Sequence, residues 1–225
     1  MKKLVKINGS LSCVDLLNLQ KSVEEINNSK IDGLHYDVVD GKFNKCFVFG
    51  DLILEKVRPL TKKPIAVHLA CVDVEPYIRP MIKAGADYLC IHYESDCDLH
   101  SIFNQIRELG AKPVLAFRSD TSVPDDFEEY AKEAEWILKL TVNPGFAGQQ
   151  IQEGALEHIR EMSERLKKAN INKPIEADGN INVLTIPKVV AAGASILTGG
   201  TSGLFNDKGT VNENYERMKE ACKNG

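Results

Sequence analysis

Four residues hold the chemistry most readily read from this chain: His35, Asp37, His68 and Asp178. His35 and Asp37 stand two apart in LHYDVVDGKF (34–43), among Leu34, Tyr36, Val38 and Val39. That apolar run reads as a buried strand, on which positions i and i+2 face the same way. Burying an ionised carboxylate costs several kcal/mol unless it is paired, hydrogen-bonded or metal-bound. His68 closes the run AVHL, and Asp178 closes PIEAD. Two imidazoles and two carboxylates from three strand ends make a mixed nitrogen–oxygen donor set for one divalent metal. Zinc, iron, manganese and cobalt all suit such a set. Taken singly, a strand histidine is more often a hydrogen-bonded core residue, and an aspartate at a strand exit often caps the next helix. Asp40, followed by Gly41, fits a turn. The joint occurrence of the four is what points to a metal. His92 ends a further strand and reads as a residue of the pocket or of the layer behind the ligands, whereas His100 and His158 fall on helical stretches and read as solvated.

A second set is rich in glycine. Gly145, Phe146, Ala147 and Gly148 lie in NPGFAGQ, Gly179 and Asn180 follow Asp178, and Gly200 and Thr201 lie in GGTSG. Glycine lets backbone N–H groups approach an anion closely, and barrels often bind phosphate at their last two loops. None of these loops contains lysine or arginine, so a phosphate would rest on amide donors. Ordinary turn chemistry is the alternative use of such glycines.

These residues need elements to position them. Short β-type runs at 4–7, 33–39, 64–69, 88–92, 112–117, 136–140, 174–178 and 196–199 alternate with amphipathic helical runs. Leu16, Leu19, Val23 and Ile26 recur at helical spacing over 15–29, as do Leu156, Ile159, Met162 and Leu166 over 155–169. Asp15, Asp98 and Asn182 are expected N-caps. Glycine turns at Gly85, Gly110 and Gly193 precede the following strands. Eight strand-then-helix units without a low-complexity linker predict an α/β fold: one (β/α)8 TIM barrel spanning 1–225. AGADYLCI and AGASILTG form a weak internal repeat. An open doubly wound sheet is disfavoured, because the turn expected after strand one is Asn8-Gly9-Ser10 rather than GxGxxG.

Composition is that of an ordinary globular chain, 43% hydrophobic and 27% charged with net charge -4. The mild acidity argues against a nucleic-acid surface. No apolar run reaches the roughly 18 residues of a membrane span, and the N-terminus lacks the apolar core of a signal peptide. Six scattered cysteines with no CxxC pair suit a reduced, cytoplasmic protein.

Along nearly its whole length the chain resembles ribulose-phosphate 3-epimerases, barrels of the ribulose-phosphate-binding type. The family pattern His-x-Asp-x-x-Asp-Gly-x-Phe is met by His35, Asp37, Asp40, Gly41 and Phe43. VHL (67–69), VNPGFAGQ (142–149) and EADG (176–179) also fit. SLSCVDLL (10–17), Ala147 and GTSGLFN (200–206) look closer to the allulose-6-phosphate 3-epimerase branch. The chain departs from the pattern at Ala66, where the family has an acidic residue, and at Val39, Ala70 and Leu140, where it has methionines. Lys42 replaces the histidine of DGHF, and FRSDTS (117–122) replaces a common Asn-Pro.

The resemblance implies an isomerase that inverts C3 of a ketose phosphate through an enediolate. Allulose 6-phosphate/fructose 6-phosphate is the first expectation and ribulose 5-phosphate/xylulose 5-phosphate the alternative. It further implies Asp37 and Asp178 as the acid–base pair, with His35, Asp37, His68 and Asp178 as metal ligands. Ser10, His68 and the glycine-loop residues would contact substrate, and family members are often homo-oligomers. A sugar-phosphate decarboxylase is disfavoured because Asp37-Val-Val-Asp40-Gly-Lys42 does not match Asp-x-Lys-x-x-Asp. A non-catalytic phosphosugar-binding protein is the alternative outside enzymology.

Overall fold

The structure, a computed structural model, describes residues 4–143 and 149–225. Eight parallel strands follow in order: β1 (Lys6–Ser10), β2 (Gly33–Asp40), β3 (Ile65–Ala70), β4 (Tyr88–His92), β5 (Lys112–Phe117), β6 (Ile137–Leu140), β7 (Ile175–Asp178) and β8 (Ile196–Gly199). Each pairs with the next, and β1 pairs with β8, so these eight close into a barrel. A two-residue strand, Phe47–Val48, adds an antiparallel flap to Val39 and Asp40 of β2. Eight helices surround the barrel: α1 (Leu19–Asn27), α2 (Asp51–Val57), α3 (Glu75–Ala84), α4 (Leu99–Glu108), α5 (Phe127–Glu133), α6 (Glu153–Lys168), α7 (Ile186–Ala192) and α8 (Val211–Ala221).

Side-chain alternation along each strand divides the core in two. Ala66, Cys90, Val114, Ala116, Leu138 and Leu140 face inward and fill the barrel. Their neighbours Ile65, Val67, Leu89, Ile91, Leu115 and Ile137 face outward and pack beneath the helices. Helix ends follow the expected chemistry. Asp98 caps α4, accepting from the N–H groups of His100 and Ser101. α3 ends on Gly85 at φ 111° and α7 on Gly193 at φ 122°, conformations that disfavour a side chain.

Three expectations shift. β1 runs over Lys6–Ser10 rather than 4–7: Leu4 is largely exposed, and Asn8-Gly9-Ser10 is strand, not turn. Gly9 belongs there because a Cβ would lie 3.0 Å from the Phe205 ring. The helix expected over 15–29 is shortened to α1, with Asp15 instead accepting from Leu17 N–H in a preceding 3-10 turn, so Leu16 is half exposed. Asn182 accepts from Leu184 and Thr185 N–H in the turn before α7, and Thr185 takes the N-cap position.

Candidate active site

Register brings the chemistry-bearing residues together. In the parallel ladders Ser10 lies beside His35, Asp37 beside His68, and Asp178 beside Thr198. Ser10 and Asp178 end their strands, and His68 and Thr198 lie near the ends of theirs, at the mouth where barrel enzymes build their sites. β2 runs on past His35 and Asp37 to Asp40, so these two are not the strand end expected from sequence. His35 Nε2 lies 3.0 Å from Asp37 Oδ1 and 3.4 Å from Asp178 Oδ2. His68 Nδ1 lies 3.3 Å from Asp37 Oδ1 and 3.9 Å from Asp178 Oδ2. One donor atom from each of the four residues falls within 4.8 Å of every other. Donors about 2.0–2.2 Å from a shared tetrahedral ion lie roughly 3.3 Å apart. The cluster therefore has the size and donor chemistry to hold a divalent metal.

Electrostatics agree with that fit. Burial raises the Asp178 carboxyl pKa to about 6, and the Asp37 charge adds to the rise. Burial also acts to raise Asp37, but His35 and His68 outweigh it and hold that carboxyl well below its usual range. Burial opposes a charge on His35, yet Asp37 and Asp178 hold its pKa well above the ordinary value. Two carboxylates crowded in a buried site lack enough positive charge, which a divalent cation would supply.

The candidate ligands are themselves held. Ser10 and Ser12 hydroxyls donate to Asp37 Oδ2 at 2.9 and 2.8 Å, leaving Oδ1 facing the histidines. Fully buried Glu176 lies 3.6 Å from His35 Nδ1 through Oε1. Thr198 Oγ1 donates to the same oxygen, and Trp136 Nε1 to Oε2, each at 2.6 Å. Burial works against that carboxylate's charge, but His35, Thr198 and Trp136 prevail and lower its pKa. His68 Nε2 meets His92 Nε2 at 2.8 Å, and His92 Nδ1 meets Glu94 Oε2 at 2.9 Å. His92 is fully buried behind His68 and does not line the cavity, so it backs a candidate ligand rather than facing the pocket.

Glu176, Glu94 and Ser12 were not anticipated as site residues. The i, i+2 spacing that marked His35 and Asp37 also relates Glu176 to Asp178 and His92 to Glu94, so the signal was present. His158 departs from its expected solvated state: its Nδ1 is shielded, and the ring lies beside Ser119 and Lys139. His100 is partly exposed between Glu129 and Glu133. Asp40 keeps its turn role, accepting from the N–H groups of Lys42, Phe43 and Val72.

A cavity of about 460 Å³ opens over Asp37, His68 and Asp178, with His35 fully buried behind them. Ser10, Asp37, His68 and Asp178 line it, as do Gly179, Asn180, Gly200 and Thr201. Gly179 has φ 119°, and a Cβ there would lie 2.5 Å from Val142 Cγ2, so this loop requires glycine. Asn180 follows at φ 48°. Gly145, Phe146, Ala147 and Gly148 lie outside the described residues.

The buried His92–Glu94 pair makes the metal-free protein acid-sensitive. Burial lowers the His92 pKa from 6.5 to about 4, so between these values the unfolded chain binds a proton that the folded chain does not. Burial opposes the Glu94 charge, but His92, Thr121 and Arg118 N–H lower its pKa from 4.5 to about 2. Both contributions to stability are lost as pH falls, the first from 6.5 towards 4 and the second from 4.5 towards 2. Denaturant midpoints of the chelated protein should fall through both windows, and Glu94→Gln should flatten the lower one.

A closed (β/α)8 barrel with a His/Asp metal-type cluster under a cavity in its mouth has the layout of a barrel enzyme. A family model described as the ribulose-phosphate 3 epimerase family matches residues 6–205. The ribulose-phosphate 3-epimerase of Synechocystis sp. is 35% identical over 209 residues, covering 92% of this chain and 90% of that protein. The ribulose-phosphate 3-epimerase of Bacillus subtilis is 34% identical over 200 residues, covering 88% and 92%. The chain belongs to the ribulose-phosphate 3-epimerase family, isomerases that act on carbohydrate phosphates. The KGPDC of Streptococcus mutans superposes with a TM-score of 0.67 at 12% identity, covering 98% of each chain. A 3-hexulose-6-phosphate synthase gives 0.64 at 17% identity, covering 96% of this chain and 99% of the other. These two likenesses show the fold alone. Among the described residues no helix is long and apolar enough to cross a membrane.

Proposed function

We propose that this chain, acting as one barrel over 1–225 in the cytoplasm, epimerises ribulose 5-phosphate and xylulose 5-phosphate at C3. The observation that carries the reaction type is the convergence of two histidines and two aspartates within 4.8 Å beneath a cavity lined by glycine loops. The pentulose assignment is supported by relatives named ribulose-phosphate 3-epimerase that match about nine-tenths of the chain. It displaces allulose 6-phosphate, the first expectation from sequence. The hexulose reading keeps one specific support: two of its three stretches supply Ser10, Ser12, Cys13 and Leu16, and Gly200, Thr201 and Ser202, to the cavity wall. Its third, Ala147, lies outside the described residues.

His35, Asp37, His68 and Asp178 would hold the metal, of which zinc, iron, manganese and cobalt are candidates. When bound, it would act as a Lewis acid that stabilises negative charge developing on the substrate's C2 and C3 oxygens. Removing the C3 proton next to a carbonyl leaves an enediolate, and inversion requires the proton to return on the opposite face. Asp37 and Asp178 supply one carboxylate for each face, and the direction of reaction decides which acts as base. Burial raises the Asp178 pKa to about 6 in the metal-free chain, and a bound cation would favour the ionised form, which is the one that accepts the C3 proton. Ser10 and Ser12 fix the rotamer of Asp37. Amides at Gly179–Asn180 and Gly200–Thr201, with the 145–148 loop, would hold the phosphate and so fix C3 between the carboxylates. The mildly acidic chain is assigned no nucleic-acid partner, and self-association follows the habit of the family.

Rates with ribulose 5-phosphate and allulose 6-phosphate, measured side by side on a metal-analysed sample, test this reading. The pentulose should give the larger kcat/KM, by about tenfold or more if the hexulose's extra carbinol group costs at least 1.4 kcal/mol in the transition state. A preference for the hexulose would reverse the assignment. Binding without turnover of either sugar would leave a phosphosugar-binding protein.

A further inference from the structure

The His68–His92–Glu94 chain continues into a loop where this sequence departs from its family pattern, FRSDTS at 117–122. Glu94 Oε1 accepts from Arg118 N–H at 2.8 Å and from the Thr121 hydroxyl. Lys139 Nζ donates to the carbonyls of Arg118 and Thr121, each at 2.5 Å, and holds both ends of that loop. The Arg118 side chain donates to Phe43 O at 3.0 Å and lies over the Phe43 ring, which packs on His92. His92, Lys139 and Ser119 are fully or nearly fully buried.

We propose that Glu94 and His92 are positioning residues that fix the tautomer of His68 for metal binding, with the 118–121 loop as their clamp. This rests on the reading of His68 as a metal ligand.

Proton placement makes the chain directional. A metal bound at His68 Nδ1 requires that nitrogen's lone pair, so the ring proton sits on Nε2. His68 Nε2–H then donates to His92 Nε2, whose own proton must sit on Nδ1. His92 Nδ1–H donates to Glu94 Oε2. Glu94 meets only donors on both oxygens: His92 on one side, and Arg118 N–H and Thr121 O–H on the other. The backbone N–H of Arg118 cannot reverse its role, so only an ionised carboxylate satisfies both sides.

Glu94→Gln breaks the direction. With the amide oxygen towards Arg118, the NH2 faces His92 Nδ1 and drives the His92 proton onto Nε2, against His68 Nε2–H. Relief then puts the His68 proton on Nδ1, where it blocks the metal. With the oxygen towards His92, the NH2 collides with Arg118 N–H.

The test titrates apoprotein with Zn2+ against a competing chelator, for the wild type, Glu94→Gln and the milder Thr121→Val. Metal affinity should fall about 10–100-fold in Glu94→Gln and less in Thr121→Val, with circular dichroism unchanged. Equal zinc affinity in the wild type and Glu94→Gln would overturn the positioning role and leave the metal site standing. Failure of the wild type to bind metal would overturn the functional reading and the positioning role together. Long-range 1H–15N spectra of the zinc-loaded wild type need no variant: protons on His68 Nε2 and His92 Nδ1 are expected, and a His92 proton on Nε2 would refute the chain.

Discussion

Asp178→Asn should lower turnover by about 10²–10⁴-fold, the range contributed by a positioned general acid–base group. The amide neither takes nor gives the proton, so one of the two faces of C3 loses its carboxylate. Exchange of the C3 hydrogen with solvent deuterium should then survive for only one of the two epimers, and Asp37→Asn should spare the other. The fold should not suffer. The Asp178 pKa is raised by burial from 3.8 to about 6, so between these values the folded chain binds more protons than the unfolded one and stability falls as pH rises. At neutral pH the ionised group is therefore a burden on the metal-free protein. Removing the charge should leave the chelated variant at least as stable as wild type at pH 7, as read by denaturant unfolding. Because Asp178 is also a candidate ligand, metal content must be measured on the same sample. Near-normal turnover by a metal-replete Asp178→Asn enzyme would remove Asp178 from the mechanism.

Stripping the metal should reduce activity about a thousandfold or more, since several kcal/mol of charge stabilisation would go with it and each 1.36 kcal/mol is tenfold. Back-titration with single divalent ions should restore turnover at one equivalent per chain and rank zinc, iron, manganese and cobalt. The metal-free chain should remain folded, because the barrel core and its helices pack without any contribution from the cluster. Chelation should instead shift local properties, as Asp37 and Asp178 come to depend on His35, whose pKa they hold well above the ordinary value, for compensating charge. A protein shown by elemental analysis to carry no metal and still turning over at its original rate would end the metal-dependent reading.

The buried carboxylates illustrate how far spacing alone reaches. His35 and Asp37 were legible because two ionisable groups at i and i+2 in an apolar strand must share a face and need compensation. Glu176 stands in the same relation to Asp178 and was passed over. Its meaning depends on Trp136 and Thr198, which are forty and twenty-two residues away in sequence and adjacent only across the ladders. Glu94 was missed for a similar reason: its partners come from the loop after β5, whose residues read in sequence only as a departure from a pattern.

By itself the sequence determined the strand–helix alternation, seven of the eight strands to within about a residue, the four candidate ligands and the glycine loops. Those features follow from local periodicity, side-chain chemistry and backbone freedom, which act over a few residues. Tertiary structure alone decided the register that sets Asp37 beside His68, the extension of β1 through Asn8-Gly9-Ser10 and the shortening of α1 that leaves Leu16 at the cavity. It also decided which further carboxylates lie near the histidines, Glu176 beside His35 and Glu94 beyond His92. Hydrogen bonds between strands and the desolvation of buried charges depend on which distant segments meet, and only closure of the barrel establishes that.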